Sequence, residues 1–277
     1  MIVKVVITLT AAALNHRDFF IRQHLYPGTT FGVPLLADGV GIVTRTGSYP
    51  AARKWLNKRV ILNPGTGWKD SPEGPEHPKG YAIMGGTKFN PAGTLADIVT
   101  LDADELEECP EHLSDEEAAS LPLTGLTAWR AFFTKSGNAV AGRNIFITGI
   151  GGGVALMVLL YGVAQGCNVY VSSGNQEKID KAIKLGAKGG IIYKEDGWEK
   201  NLQVLLPKDR PYLDAIVDGA GGDIVAKGAR LLKVYFRPML STLLKINVFL
   251  GWGHHLHLRN DHLPQNALPH GRRPQKH

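Results

Sequence analysis

Cysteine is nearly absent, with two thiols, Cys109 and Cys167, in 277 residues. That excludes a disulfide framework and a thiolate-rich zinc lobe, and it suits a reducing compartment, so the cytoplasm is the expected location. Long apolar runs are lacking too. Nothing reaches the ~18 residues of a membrane-spanning helix, and the run from Val154 to Ala164 is short and follows a glycine cluster. The N-terminus, MIVKVVITLTAAALN, has the charge and apolar run of a signal peptide, but its β-branched residues suit a buried strand better. No membrane partner is expected. Charge is in modest excess, +6 overall, and residues 254–277 supply half of it with four Lys/Arg against one Asp. A nucleic-acid partner held by that basic tail is therefore only a third-ranked reading. Six of the ten histidines also fall there. No HxxxH spacing or paired carboxylate accompanies them, so no metal site is expected and the tail reads as disordered.

With 44% apolar and 20% charged residues, the chain has the composition of an ordinary globular protein long enough for two domains. Its organising stretch is Asn144 to Ile179. A short apolar strand (Ile145 to Thr148), a glycine turn (Gly149, Gly151, Gly152, Gly153), an apolar helix and a second strand (Asn168 to Val171) follow in the order of a nucleotide-binding βαβ unit. Glycines let backbone N–H groups approach a pyrophosphate, and the helix presents its positive end to the same phosphates. The GxGxxG fingerprint is met at Gly149 and Gly151 but has Val154 in third place, so helix and strand must approach closely by another means.

An NAD site carries an acidic residue about 20 residues beyond the turn to bind the ribose 2′-OH. Here Val171, Ser172, Ser173, Gly174 and Asn175 occupy that place, with no carboxylate before Glu177. A carboxylate would repel a 2′-phosphate carrying about −1.5 to −2 charges, whereas hydroxyls, an amide and Lys178 would receive it. The expected cofactor is NADP(H). Ser173 also reads as a helix cap, with Gln176 completing a capping box.

Before residue 109 the pattern is short strands between Gly and Pro, an all-β module with a long loop at Asn63 to Gly80. Nine acidic residues line the connector from Asp102 to Glu117, read as a solvated face, and Ser114 with Glu117 predicts a capping box. Thr127 to Phe133 reads as helix. Regular α/β alternation then runs through a helix (Gln176 to Leu185), strand (Gly190 to Tyr193), helix (Trp198 to Leu206), strand (Leu213 to Val217) and helix (Ile224 to Leu232). The loop DGAGG, with Gly219, sits at the carboxyl end of a strand, where parallel sheets place ligands. The boundaries predicted are 1–115 for the β module, 116–233 for the α/β domain and 234–277 for a tail.

AAALNHRD (Ala11 to Asp18), LADGVGIV (Leu36 to Val43), RVILNPG (Arg59 to Gly65), EEAASLPLTGLTAWRA (Glu116 to Ala131), TGIGGGVA (Thr148 to Ala155) and LGAKGGIIYKEDGW (Leu185 to Trp198) together resemble the medium-chain dehydrogenase/reductases. The resemblance lies toward their quinone and enoyl reductase branch and the zinc-type alcohol dehydrogenase-like proteins of fungi, and covers roughly residues 3 to 233. It implies a GroES-like substrate domain, a doubly wound Rossmann domain with the cofactor in the cleft between them, and a homodimer. Zinc-binding members carry ligands at positions matching Asn15, Ala37 and Asp38, and Leu123; these residues leave no tetrahedral site, so no zinc is expected.

Without a Lewis acid, NADPH-driven reduction of a quinone or an α,β-unsaturated carbonyl fits better than alcohol oxidation. By resemblance, Asn15 and Asp18 match an NxxD pair at the nicotinamide end, Asn15 polarising a substrate oxygen, with Phe20 where some relatives carry a tyrosine. Thr127 would lie near the nicotinamide, and Ser173, Lys178 and Tyr193 around the 2′-phosphate. Relatives begin about two dozen residues earlier and no family pattern continues past Lys233. The expectation is a chain shortened at both ends, for which impaired or absent activity is the alternative reading.

Overall fold

The computed structural model describes residues 3–221, 223–233 and 248–250. Its first unit begins with β1 (Lys4–Ala13), where Val5, Val6, Ile7 and Thr8 give the β-branched run that favours a strand over a leader helix. There follow α1 (His16–Arg22), β2 (Asp38–Thr46), α2 (Pro50–Arg53), β3 (Arg59–Leu62), the two-residue β4 (Gly65–Thr66) and β5 (Ala82–Ile83), β6 (Ile98–Asp102) and β7 (Leu106–Glu108). The longer strands form one sheet in the order β6-β1-β2-β3-β7, antiparallel throughout. Alternate residues, among them Val5, Ile7, Val60, Leu62, Val99 and Leu101, turn inward to one core, the period-two pattern of a sheet with one wet face. The module is not purely β as expected. Asn15 opens α1, Asp18 closes its first turn by accepting from the Asn15 N–H, and Ile21 is buried beneath it.

The second unit runs α3 (Asp115–Ala119), α4 (Pro122–Trp129), a π-helical turn at Arg130–Lys135, β8 (Asn144–Ile147), α5 (Gly153–Ala164), β9 (Asn168–Ser173), α6 (Gln176–Lys184), β10 (Gly189–Ile192), α7 (Trp198–Leu205), β11 (Ala215–Asp218), α8 (Ile224–Gly228), a 3-10 turn at Ala229–Leu231 and β12 (Val248–Leu250). Ser114 and Glu117 form the predicted capping box on α3. The sheet is parallel in the order β10-β9-β8-β11-β12. Crossover helices cover both faces, so β8 and β11 are buried along their whole length. This is the doubly wound α/β architecture expected from the alternation.

Three details differ from the sequence reading. Asn175, not Ser173, caps α6, its side chain accepting from the Glu177 N–H at 2.7 Å. Ser173 is buried one step earlier and its Oγ accepts from the Asn175 N–H, so it shapes the turn instead of capping the helix. The helix expected to reach Leu232 ends at Gly228 and tightens into the 3-10 turn. Val248–Leu250, inside the stretch expected to be a disordered tail, pairs with β11 as a fifth parallel strand; the rest of 234–277 lies outside the described residues.

The missing third glycine of the fingerprint is replaced two turns further along. A Cβ on Gly162 would stand 2.8 Å from Val169 Cγ2, so the close approach of α5 to β9 occurs there, while Val154 packs against the core. No helix among the described residues is long and apolar enough to cross a membrane.

Candidate functional site

Two loops meet at the carboxyl ends of β8 and β11. Gly149 turns the chain with φ +63°, a conformation that only glycine adopts readily. Its N–H donates to Ser172 Oγ, and the Ile150 N–H to the Ser172 carbonyl, so β9 holds the turn from one side. On the other side, Thr148 Oγ1 donates to the buried Asp218 at 2.5 Å and accepts from the Gly219 N–H at 3.2 Å. Asp218 also accepts from the Ala220 and Gly221 N–H groups. The glycine turn and the loop containing Gly219 are thus one hydrogen-bonded unit. Gly152 and Gly153 lead directly into α5, whose first-turn N–H groups and positive dipole end favour an anion there. Thr127 is half-buried on α4, but the side chain of that helix that abuts the turn is Thr124, one turn earlier, whose Cγ2 lies 2.8 Å from the Cβ position of Gly153. The LTGLTA stretch contained both threonines, and helical spacing could have flagged the pair.

A cationic rim borders this unit. Lys178 folds over the turn, its Nζ 2.7 Å from the Cβ position of Gly151. Across the end of β9, Tyr193 Oη and Lys194 Cε each lie 3.0 Å from the Cβ position of Gly174. The Glu177 carboxylate, in the first turn of α6, pairs with Lys181 at 2.8 Å. Of the three residues expected around the 2′-phosphate, Tyr193 adjoins Ser173, its N–H donating to the Ser173 carbonyl at 3.1 Å, while Lys178 lies against Gly151. Lys194 is an addition that sequence spacing did not single out, because only the fold brings the end of β10 beside the end of β9.

The second centre lies between the units. Asp38, the first residue of β2, is fully buried. One carboxylate oxygen accepts from Asn15 Nδ2 at 2.7 Å and the other from the Leu123 N–H of α4 at 2.9 Å. Burial pushes its carboxyl up to about 6, with the Asn15 and Leu123 donors opposing the rise and the Asp18 charge adding to it. Asp18 is spent locally. Its Oδ2 accepts from the Asn15 N–H at 2.7 Å and its Oδ1 pairs with Arg17 at 3.2 Å, while Arg17 also donates to the Gly85 carbonyl. Burial raises the Asp18 carboxyl too, against the Asn15 N–H and the Arg17 charge. Phe20 is partly exposed and stacks on His16 with ring centroids 4.8 Å apart.

Residues 3–111 match the alcohol dehydrogenase GroES-like domain. A zinc-type alcohol dehydrogenase-like protein of Leptosphaeria maculans, YogA, is 52% identical over 235 residues, covering 83% of this chain and 66% of that protein. The chain belongs to the medium-chain dehydrogenase/reductase superfamily. It spans about two thirds of that relative's length. The human mitochondrial NAD(P)H oxidoreductase RTN4IP1 is 30% identical over 156 residues, 55% of this chain and 38% of that one. Among solved structures, a putative alcohol dehydrogenase from Sinorhizobium meliloti superposes with a TM-score of 0.71 at 31% identity, covering 83% of this chain and 65% of the other.

The zinc-type label of this superfamily member's relative meets a donor set that does not fit the metal. At the positions that carry zinc ligands by resemblance, the side chains are an amide, an alanine methyl, a leucine and one carboxylate whose two oxygens already accept hydrogen bonds. Zinc needs three protein ligands of thiolate, imidazole or carboxylate type. No group of three His, Cys, Asp or Glu side chains among the described residues could hold a metal ion. Where a structural zinc lobe would sit by resemblance, the loop from Asn63 to Gly80 is closed by Glu76, which accepts from the N–H groups of Lys69, Asp70 and Ser71. Those donors hold its carboxyl down at about 2.

Proposed function

We propose that the chain is a zinc-independent oxidoreductase that uses NADP(H) to reduce quinones or α,β-unsaturated carbonyls. The observation that carries the reading is the centre between the units: an amide donor at Asn15 where a Lewis acid would otherwise act, with the Asp38 carboxylate committed to holding its side chain. The glycine turn suits a dinucleotide, since it leads directly into α5, whose first-turn N–H groups and positive dipole end favour a phosphate. A bound nicotinamide supplies the hydride. The work left to the protein is to orient the acceptor and to stabilise charge developing on its oxygen. Asn15 fits the second task as a hydrogen-bond donor, and Asp18 supports it by fixing the first turn of α1.

The phosphate end supports NADP(H) over NAD(H). Lys178 and Lys194 flank the loop after β9 without an ion-pair partner among the described residues, Tyr193 adds a hydroxyl, and Glu177 is diverted to Lys181. The names of the relatives fit a nicotinamide-dependent reductase, RTN4IP1 being an NAD(P)H oxidoreductase. NADPH fluorescence should rise on binding, and NADPH should be consumed when small quinones or enals are added. Binding without consumption across such a panel would contradict the reading, and a salt-sensitive affinity for nucleic acid with no nicotinamide binding would replace it.

A further inference from the structure

The carboxylate of Asp38 is the least expected group in the molecule. It is fully buried, it lies on the first residue of a strand, and among the described residues no cationic side chain forms an ion pair with it. An unpaired buried carboxylate is costly unless hydrogen-bonded, and its two donors come from different parts of the chain. The Leu123 N–H belongs to the first turn of α4, where helical N–H groups have no intrahelical partner and an anion is favoured by the dipole. The Asn15 amide belongs to the start of α1. The Asp38 carbonyl is held in turn by Thr94 Oγ1 at 2.7 Å.

This geometry has a directional consequence. A planar amide has two ends, and turning Asn15 over would set its Oδ1 against a carboxylate oxygen, acceptor on acceptor. Ionised Asp38 therefore permits one orientation only. In that orientation one Nδ2 hydrogen is taken by Asp38 and Oδ1 is turned away from the carboxylate. The second Nδ2 hydrogen is the donor left over.

We propose that Asp38 is a positioning residue for the reduction: it presents the remaining Asn15 amide hydrogen to the substrate oxygen and, through Leu123, registers it against the helix bordering the cofactor turn. The inference rests on the Asn15 assignment above. It gives the buried carboxylate a part in the reaction without contact with the substrate.

The test joins a spectroscopic readout to kinetics. In cofactor-free protein carrying isotope-labelled asparagine, the Asn15 side-chain amide, identified by its loss in Asn15→Ala, should be shifted and slowly exchanging, and Asp38→Asn should return it to the values of an exposed amide. In turnover, Asp38→Asn should lower kcat by roughly tenfold to a hundredfold, with NADPH affinity unchanged within about twofold. The double variant Asn15→Ala/Asp38→Asn should be no slower than Asn15→Ala alone, because both changes remove one device. Should Asp38→Asn fail to melt cooperatively, Asp38→Glu keeps the acceptor and carries the same comparisons with a smaller loss. An unchanged amide signal in Asp38→Asn, multiplying losses in the double variant, or a fall in NADPH affinity equal to the fall in kcat would each overturn the positioning role. If Asn15→Ala turns over normally, or the wild-type protein does not turn over at all, the Asn15 reading falls and this role falls with it. If Asn15→Ala is slow and Asp38→Asn is not, only the inference about Asp38 is lost.

Discussion

Asp38 also determines a pH dependence of stability. Its carboxyl sits at about 6 in the folded protein against 3.8 ordinarily. The folded state therefore holds its proton more tightly than the unfolded chain does. For a carboxyl raised in this way, the contribution to stability is fullest below its ordinary value, declines as pH rises through the folded value, and is constant above it. The difference corresponds to about 3 kcal/mol. Asp38→Asn has no such titration, so urea denaturation should show wild type losing about 3 kcal/mol relative to the variant between about pH 4 and pH 7. A constant difference across that range would mean that Asp38 is ionised at no cost. At the phosphate end, Lys178→Ala and Lys194→Ala should each weaken NADPH binding about fivefold, the scale of an exposed charge contact, and leave NADH binding unchanged. Fluorescence titration with the two cofactors checks this, and equal losses for both would remove the lysines from cofactor discrimination.

At the scale of elements, the βαβ unit shows how a fingerprint can be broken without losing its geometry. The tight turn at Gly149 was legible because the strand, glycine and helix order leaves few alternatives. The close helix–strand approach was not, because Gly162 lies inside an apolar helix where glycine is locally unfavourable and nothing in the local pattern marks it. Gly162→Ala should gain about 1 kcal/mol of helix propensity and lose about 1–3 kcal/mol to overpacking against Val169, for a net loss in thermal denaturation. Adding Val169→Ala should recover part of it; a stable Gly162→Ala would show that the contact yields. The loop from Asn63 to Gly80 makes a similar point. Its prolines and glycines marked it as irregular, but the carboxylate nest depends on the side chain of Glu76 reaching three N–H groups at once, which sequence does not encode locally. Arg130 of the π-helical turn stacks 4.2 Å over Trp68, tying this loop to the second unit. Glu76→Gln should release the amides of Lys69, Asp70 and Ser71 to faster hydrogen exchange, with the folded core unaffected. Because the Glu76 carboxyl is depressed to about 2, the wild-type nest is present at neutral pH and is lost only as pH falls through that value.

For the whole molecule, the two units were legible because their periodicities differ: short strands between Gly and Pro in the first, apolar strands alternating with helices in the second. The helix α1 and the strand β12 were not. α1 is brief, and its Asn15 and Asp18 read as chemistry before they read as a helix start. β12 sits in a stretch with no period of its own, and it becomes a strand by pairing with β11. Of the candidate centre, Asn15 and Asp18 stood out in the sequence by resemblance, whereas Asp38 and Leu123 marked only positions without a zinc ligand, and the convergence of Asn15, Asp38 and Leu123 came from the fold. What looked like three lost zinc ligands is a carboxylate holding an amide and a helix terminus across the junction of two units.

The most direct test of this account is NADPH consumption by the intact chain, after exhaustive treatment with a zinc chelator, in the presence of a small quinone or enal. Chelation should leave the rate unchanged, added zinc should not increase it, and NADH should be the poorer donor. Absence of turnover, or an alcohol oxidation that appears only when zinc is restored, would contradict it.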